Sequence, residues 1–484
     1  MTRDSVLAEE MTEEAAPRPE AAVGAPPLCQ VAFSVTDLRR THAWYRDVFG
    51  FLPGGGTRLF RGPLASRVQG LPGAASTCWW LVDQQEFFQL EMFQFTHPPV
   101  RPKPADWRPC DIGYTMVGLH VADFVDSVER LRRRGVAPLT EPIGPAGSRR
   151  VCVRDPEGVI LELMEDDPRR PDAPPRVRPE IPVAARSITL SVPDLDRSLH
   201  FFAETLGHPA ARGVVLHGPE HEALWGLPGA QRKSALLWAG DFLLELVQYT
   251  QPAGKPWPPG YRISDQGLLN IALGFRSKAA FDAAYQRCLA AGHRGNWRPL
   301  NLGAWAVVYV NDDQGFSVEL LFVPRWYDRP MGFRPAMPYV VAEARIAAPR
   351  DVVWKAITDH EGMTAWSPFS SVVLTRPGSP ERNGLGAVRR IRGFGLTLDE
   401  EVVGWNPPAR YDYRLIGGAP IREHCGQVLL NEVDGATNVR WSVRFRPALP
   451  GTGAITRAML QRTFADMLQR LKRRLEAGAA AQEK

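Results

Sequence analysis

Short alternations of apolar and polar residues, interrupted by helical periodicities, predict a chain made mostly of strands. Four strand-like stretches are each followed by a residue that favours a helix N-cap and then by a helical pattern. They are QVAFSV with Asp37, MVGLHV with Asp123, SITLSV with Asp194 and NIALGF with Ser277. Further short alternating stretches follow each helical pattern. The sequence therefore predicts four strand–helix–three-strand modules.

The four modules form an internal repeat. The stretch SVTDLRRTHAWYRDVFGF at 34–51 matches SVPDLDRSLHFFAETLGH at 191–208. Farther along, RDPEGVILEL at 154–163 matches NDDQGFSVEL at 311–320. Because the matches recur at a nearly constant offset, we expect two homologous domains of two modules each.

The last part of the chain has a different order of elements. A strand pattern over 339–346 precedes a helix after Pro349, further strand patterns and a long helical pattern over 453–477 with one apolar face. Stretches rich in proline and charge separate these parts. We predict a disordered tail (1–26), domain 1 (27–165), a linker (166–181), domain 2 (182–324), a linker (325–337), domain 3 (338–478) and a tail (479–484).

The strand–Asp–helix starts, the stretches WYRDVFGF and FFAETLGH, and the ending DPEGVILEL resemble the glyoxalase/bleomycin-resistance/extradiol-dioxygenase superfamily, also called vicinal oxygen chelate. This resemblance implies an α+β fold in which paired βαβββ modules build cups. The elements of domain 3, with APRDVVWKAITD, resemble the START-like helix-grip superfamily of polyketide cyclases/dehydrases and lipid carriers. That resemblance implies a curved antiparallel sheet wrapped around the terminal helix and an apolar cavity.

In the oxygen-chelate superfamily each module offers two metal ligands, one at the start of its first strand and a glutamate on its last strand. Carried over to this sequence, the resemblance gives the first cup Gln30, Glu91, Met116 and Glu162, and the second cup Ser187, Glu245, Asn270 and Glu319. Both cups keep their glutamates and lack the usual histidines. Oxygen donors suit a hard cation, so one divalent metal in the first cup would be held by Gln30, Glu91 and Glu162.

Other roles remain open for these residues. Met116 is a soft thioether, and His120 lies on the same strand face, where it is a further candidate ligand. A glutamate between apolar strand residues can also simply face water. Two carboxylates in a semi-apolar cup without metal repel each other, which raises one pKa and suits general acid or base catalysis. The four glutamates are therefore candidate catalytic residues with or without a metal.

Domain 3 and one loop supply the remaining candidates. Alternate strand residues face opposite sides, so either Glu423 or His424 points into the predicted cavity, and the sequence leaves open which. His424 is a candidate acid–base residue, and Trp441 is a candidate ligand contact. His217 and His221 are separated by Gly and Pro, so no helix presents them together as a metal pair.

Composition excludes several classes of protein. The net charge is +5, and the densest basic runs stand at the ends of predicted helices, so nothing points to nucleic acid. Mean hydropathy is −0.22, and no apolar run approaches the ~18 residues of a membrane span. Six cysteines are scattered singly, which predicts a reducing, cytoplasmic location and neither disulfides nor zinc.

Two functions fit these observations. The first is an enzyme of secondary metabolism that performs lyase, isomerase or cyclisation chemistry on an oxygen-rich aromatic or polyketide-like substrate. The second is a binding protein that sequesters or carries a hydrophobic metabolite, which the loss of the histidine ligands favours. We prefer the enzyme because both cups keep paired glutamates. The expected partner is a hydrophobic or aromatic small molecule, and homo-oligomerisation is left open.

Overall fold

The computed structural model describes residues 25–482 except 171, 174, 175, 179, 180, 419, 420 and 450. The tail predicted over 1–26 lies almost entirely outside the described residues, as does the end of the tail predicted over 479–484.

The first two modules begin with the predicted strand and helix and continue as strands. Module 1 contains β1 (Leu28–Ser34), α1 (Leu38–Phe49), β2 (Leu52–Gly56), β3 (Phe60–Arg61), α2 (Pro63–Gln69), β4 (Ala75–Val82) and β5 (Gln89–His97). Module 2 contains β6 (Gly113–Val121), α3 (Phe124–Arg133), β7 (Arg150–Arg154) and β8 (Ile160–Met164).

Modules 3 and 4 repeat this order. Module 3 contains β9 (Val183–Ser191), α4 (Leu195–Leu199) with a π-helical continuation (His200–Thr205), a 3-10 turn (Pro219–Ala223), β10 (Gln231–Ala239) and β11 (Phe242–Gln251). Module 4 contains β12 (Gly267–Phe275), α5 (Lys278–Ala290), β13 (Arg294–Gly295), β14 (Leu300–Asn301), β15 (Ala306–Asn311) and β16 (Ser317–Phe322).

The predicted helix caps are confirmed. The Asp37 carboxylate accepts a hydrogen bond from the Arg40 amide, and the Asp123 carboxylate accepts one from the Asp126 amide. Asp194 and Ser277 cap their helices in the same way. Each cap satisfies an amide of the first turn, which has no partner within the helix.

The modules pair across the two domains rather than within each. β1 of module 1 lies antiparallel to β12 of module 4, and β6 of module 2 lies antiparallel to β9 of module 3. Modules 1 and 4 thus share a ten-stranded sheet, and modules 2 and 3 share a six-stranded sheet. The cup membership expected from the sequence is therefore wrong. We call the concave face of the larger sheet the outer cup and that of the smaller sheet the inner cup.

Local sequence could not decide between these pairings, because the four first strands are equivalent. β1, β6, β9 and β12 are each buried along their whole length. Two crossovers, 98–112 and 252–266, carry the chain from the larger sheet to the smaller one and back. Between the sheets lies a shared apolar core, in which Phe88 and Phe242 stack with ring centroids 5.5 Å apart.

Domain 3 is a seven-stranded antiparallel sheet with a long terminal helix, as the helix-grip pattern predicts. Its elements are β17 (Tyr339–Ile346), α6 (Arg350–Thr358), β18 (Ser371–Arg376), β19 (Val388–Gly393), β20 (Leu396–Asn406), β21 (Arg410–Gly417), β22 (Ile421–Val433), β23 (Ala436–Pro447) and α7 (Gly453–Gln482). Within the described residues, no helix combines the length and apolarity that crossing a bilayer requires.

The segment 325–337, predicted to be a linker, packs against the larger sheet. Phe333 is fully buried and lies 4.5 Å from Phe87 between ring centroids. Asp328 is buried and forms an ion pair with Arg276. The backbone of Gly332 lies so close to Trp80 that a Cβ there would collide with the indole.

Candidate functional site

All four candidate glutamates lie on the concave faces of the sheets and are buried. In each cup, strand pairing aligns residues of three neighbouring strands in two rows, and each row contains one glutamate. An approximate two-fold axis relates the two rows. The rows of the outer cup are Glu91–Ala32–Asn270 and Glu319–Ala272–Gln30; those of the inner cup are Glu162–Gly118–Ser187 and Glu245–Thr189–Met116. The structure therefore brings Glu91 together with Glu319, and Glu162 together with Glu245.

A histidine joins the two glutamates of the inner cup. His217 reaches into the cup from the loop before β10, and its Nε2 lies 2.6 Å from Glu162 Oε2. Its Nδ1 lies 2.8 Å from Glu245 Oε2. The side chain of His217 is fully buried, and the Trp225 ring packs edge-on against it with centroids 4.9 Å apart.

Two arginines complete this cluster. Arg150 donates to Glu162 over 3.0 Å, and Arg232 donates to Glu245 over 3.1 Å. Arg232 also forms an ion pair with Glu222, whose carboxylate accepts a hydrogen bond from Trp225 Nε1. Each buried carboxylate of the inner cup thus has at least one cationic partner.

The charges of the inner cup stabilise one another. Burial lowers the pKa of His217, but the charges of Glu162 and Glu245 outweigh it and raise the pKa to about 10. For Glu162, burial is outweighed by His217 and Arg150, which lower its pKa to about 2. At neutral pH an imidazolium therefore lies between two carboxylates. It occupies the space between them that a cation bound to both would require, so these residues do not fit a metal.

The outer cup holds the equivalent pair, Glu91 and Glu319, and no cationic side chain of the described residues bridges them. Glu91 accepts a hydrogen bond from Trp80 Nε1 over 2.9 Å, and the Cys78 thiol lies 3.4 Å from the same oxygen. The Tyr309 hydroxyl lies beside Glu319. Burial raises the pKa of Glu91, and burial together with the charge of Glu91 raises the pKa of Glu319 well above its ordinary value.

Two amide side chains lie in the rows of this carboxylate pair. Gln30 and Asn270 are 2% and 1% exposed, and Gln30 Oε1 has no hydrogen-bond partner. Two carboxylates and two amides form an all-oxygen donor set, which fits a hard divalent cation. Among the described residues, no cluster of three or more His, Cys, Asp or Glu is arranged to hold a metal. A cation in the outer cup would therefore need the amide oxygens.

The other predicted residues of domains 1 and 2 lie elsewhere. The expected metal set of Gln30, Glu91 and Glu162 is not brought together, because Glu162 belongs to the inner cup. Met116 packs in an apolar cluster with Cys152 and Trp225. His120 lies near the end of β6, where its Nδ1 is 3.2 Å from the carbonyl oxygen of Asp166.

Domain 3 encloses an apolar cavity of about 420 Å³ between its sheet and α7. His424 lines this cavity and is buried, whereas Glu423 points outward and pairs with Arg446 over 3.2 Å. A β-bulge accounts for these two side-chain orientations. The register of β22 shifts between Arg422 and Cys425, and Glu423 has a φ of 49°. Trp441 also lines the cavity, and its Nε1 donates to the Tyr413 hydroxyl over 2.8 Å.

A charged group lies in the wall of this cavity. Arg389 donates from Nε to Glu400 over 2.9 Å and contacts His360 Nδ1 over 3.0 Å. Its guanidinium carbon lies 4.7 Å from the centre of the Tyr413 ring. Burial lowers the pKa of His424, which favours its neutral imidazole, and His424 Nδ1 has no hydrogen-bond partner. The cavity thus combines apolar walls with a neutral imidazole and a fixed guanidinium.

Comparison with protein families agrees with this architecture. Models of the glyoxalase/bleomycin resistance protein/dioxygenase superfamily match residues 29–153 and 185–320. A model of polyketide cyclase/dehydrase and lipid transport proteins matches residues 337–476. The chain consists of two glyoxalase-superfamily domains followed by a domain of the polyketide cyclase/dehydrase and lipid transport family, called the polyketide cyclase domain below. A comparison with curated proteins found no match.

Solved structures with similar folds each cover part of the chain. Glyoxalase I from Zea mays is 18% identical over 63% of this chain and 95% of its own, with a TM-score of 0.42. TTHA0849 from Thermus thermophilus is 20% identical over 29% of this chain and 99% of its own, with a TM-score of 0.26. A START superfamily protein from Mycobacterium smegmatis is 14% identical over 29% and 97%, with a TM-score of 0.27.

Sequence reasoning missed the residues that neutralise the inner glyoxalase cup. One signal was available: Arg150 and Arg232 lie on the strands that precede those of Glu162 and Glu245. The corresponding strands of the outer cup, β4 and β15, contain no Lys or Arg. His217 gave no comparable signal, because only the folded path of its loop brings it into the cup.

The inner glyoxalase cup predicts a large loss of stability on removal of its bridging histidine. His217→Gln leaves two buried carboxylates without their common partner, so the free energy of unfolding at pH 6 should fall by about 3–5 kcal/mol. Denaturant unfolding measures the change. His97→Gln, at an exposed position, should have no measurable effect. A loss of less than about 1 kcal/mol for His217→Gln would contradict the bridge.

The same cup predicts how this stabilisation depends on pH. The folded pKa of His217 is raised to about 10, above the ordinary value of about 6.5. Its contribution is therefore complete below about pH 6.5 and is lost as the pH rises through about 10. The stability difference between wild type and His217→Gln should shrink between pH 6 and pH 10.5. Unfolding titrations at both pH values measure it, and a constant difference would contradict a charged His217.

Proposed function

We propose that the polyketide cyclase domain binds an apolar, oxygen-bearing aromatic or polyketide-like molecule and that His424 transfers a proton during a lyase-, isomerase- or cyclisation-type reaction. The observation that carries this proposal is the buried imidazole of His424 in the wall of an apolar cavity, whose Nδ1 has no hydrogen-bond partner. A buried polar atom without a partner costs free energy, and a ligand oxygen or acidic C–H group would supply one.

The cavity supplies the groups that such a reaction needs. Neutral His424 can accept a proton from the carbon next to a carbonyl group. Removal of that proton places negative charge on the carbonyl oxygen. The guanidinium of Arg389, fixed by Glu400 and His360, lies in the same cavity and stabilises that charge in an apolar surrounding. Leu398 and Ile391 are among the apolar side chains that exclude water.

A carrier function rests on the same cavity and differs in one outcome. A carrier would bind the molecule and release it unchanged, whereas an enzyme would convert it. Extraction of a small molecule that co-purifies with the protein, followed by mass spectrometry before and after incubation, separates the two. Recovery of the extracted molecule unchanged by wild type would favour the carrier.

The proposal predicts that His424 recognises a ligand oxygen. Wild type should bind 2-naphthol more tightly than 2-methoxynaphthalene, because only the hydroxyl can donate to the free Nδ1. His424→Phe should remove this preference, which we expect to be about threefold to tenfold from the value of one hydrogen bond. Fluorescence titration of both compounds measures it. An unchanged preference in His424→Phe would contradict the proposed contact.

A pair of helix variants shows whether both compounds bind in the cavity. Thr463 lies on the cavity side of α7, and Ala458 lies on its exposed side. Thr463→Phe should fill part of the cavity and weaken binding of both naphthalenes, while Ala458→Phe should leave binding unchanged. Equal binding by the two variants would place the naphthalenes elsewhere.

The outer cup supports a second candidate function, a metal-dependent or acid–base site. Its supporting observation is the buried Glu91–Glu319 pair, whose pKa values are raised and which has no cationic side chain as a partner among the described residues. A divalent cation held by Glu91, Glu319, Gln30 and Asn270 would act as a Lewis acid on a bound oxygen. When no cation is bound, the pair favours a protonated Glu319, which can donate a proton. The Trp80 indole orients Glu91 in either state.

The outer cup predicts a stabilising response to Mn²⁺ that depends on its own glutamates. Wild type should gain several degrees of thermal midpoint with Mn²⁺ in excess, because a ligand bound only to the folded state stabilises it. Glu91→Gln/Glu319→Gln should lose the response. In chelator at pH 8 this variant should be at least as stable as wild type, because it removes two carboxylates that resist ionisation when buried.

A matched variant tests whether the Mn²⁺ response comes from the outer cup. Glu245→Gln removes the equivalent carboxylate of the inner cup and should keep the Mn²⁺ response. Differential scanning fluorimetry measures the midpoints, and elemental mass spectrometry measures bound metal. No response in wild type, or a response that survives Glu91→Gln/Glu319→Gln, would contradict a metal site in the outer cup.

A further inference from the structure

The two crossovers between the sheets enclose a small aromatic pocket that neither cup nor the domain 3 cavity includes. The Gln266 amide donates to the carbonyl oxygen of Arg101, and the Ile112 amide donates to that of Lys255. The two crossovers together surround a cavity of about 240 Å³. This volume is below the range typical of drug-sized ligands, so it suits a molecule built on one ring.

The walls of the pocket are flat and aromatic. Trp257 stacks on Tyr261 with ring centroids 4.4 Å apart, and Trp107 and Tyr114 form other walls. Trp257 is fixed by a 3.0 Å hydrogen bond from its Nε1 to the Gln314 carbonyl oxygen. Rigid aromatic walls of this kind favour a planar ring as ligand.

One lysine amine lies in this pocket without an anionic partner. Lys103 Nζ is 3.2 Å from the centre of the Trp107 ring. Among the described residues, no carboxylate lies within ion-pair distance of this amine. Asp265 of the pocket wall is paired with Arg101 instead. Arg154 lies 5.7 Å from the same Trp107 ring, so two cationic side chains face one indole.

The nearby carboxylates are committed elsewhere. Asp155 accepts a hydrogen bond from Tyr45 and two from backbone amides, and Asp111 is paired with Arg108. Burial lowers the pKa of Lys103 to about 7, with Arg154 adding to the effect and Asp155 and Asp111 opposing it. The amine is therefore half-protonated near neutrality and gains most from an anion that enters the pocket.

We propose that this pocket, defined by Lys103, Trp107, Tyr114, Trp257 and Tyr261, binds an aromatic carboxylate whose ring packs between the aromatic walls and whose carboxylate pairs with Lys103. The site is independent of the proposed functions of the cups and of domain 3. Gly113 and Gly267 begin β6 and β12 with φ values of 147° and 125°. Trp257 packs against the former and Lys103 against the latter, so the two crossovers contribute one aromatic and one cationic side chain at matching positions.

The experiment compares 4-fluorobenzoate with neutral 4-fluorobenzamide by fluorine NMR at pH 6.5. Wild type should bind the carboxylate about tenfold or more tightly than the amide, as a charge-assisted hydrogen bond implies. Lys103→Met should abolish this difference, and Lys103→Arg, which keeps the charge, should retain most of it. Lys255→Met, at the exposed lysine of the other crossover, should behave like wild type.

The pH dependence provides a second readout. Because the carboxylate pairs with protonated Lys103, its affinity for wild type should fall at least about fivefold between pH 6.5 and pH 8.5. Binding of the amide should not change. Thermal midpoints of all variants verify that they are folded. Equal binding of carboxylate and amide by wild type, or a preference that survives Lys103→Met, would overturn the proposal.

Discussion

The antiparallel pairing of β1 with β12 and of β6 with β9 determines how the first two domains are organised. A first strand buried on both faces requires a partner, and in this chain the partner always comes from the other domain. This pairing decides which glutamates meet. It also forces two crossovers to run between the sheets and to lie against each other, which creates the Lys103 pocket. The residues of both cups and the position of this pocket therefore follow from how the four first strands pair.

Buried negative charge is compensated differently in the two cups. In the inner cup His217 supplies an internal cation between Glu162 and Glu245, and two arginines neutralise the remaining charge. In the outer cup the donors to Glu91 and Glu319 among the described residues are neutral, so a proton or an external cation must offset their repulsion. The first arrangement balances its charges among its own side chains. The second depends on something that enters from outside.

The sequence predicted what local pattern controls. The caps at Asp37 and Asp123, the repeat and the order of strands in domain 3 all follow from short-range periodicity and are present in the structure. Module pairing was not predictable, because four equivalent buried strands offer several partners. The orientation of His424 depends on a bulge at Glu423, a residue type that gives no sign of a positive φ. His217 depended on the path of a long loop.

The charges at each of these sites limit the kind of ligand that the site suits. The inner cup is neutral among its own side chains, so an entering ion would have to displace His217 and break two ion pairs. In the outer cup two buried carboxylates lie together, so the ligand we propose for it is a cation or a proton. In the Lys103 pocket an amine lies among aromatic walls, so the ligand we propose for it is an anion with a ring. In the domain 3 cavity Arg389 is paired with Glu400 and His424 Nδ1 has no partner, so the ligand we propose for it is an uncharged, oxygen-bearing molecule. Because each site favours a different charge, a single small molecule would not suit all of them, and the chain is better described as several chemically distinct sites held on one scaffold.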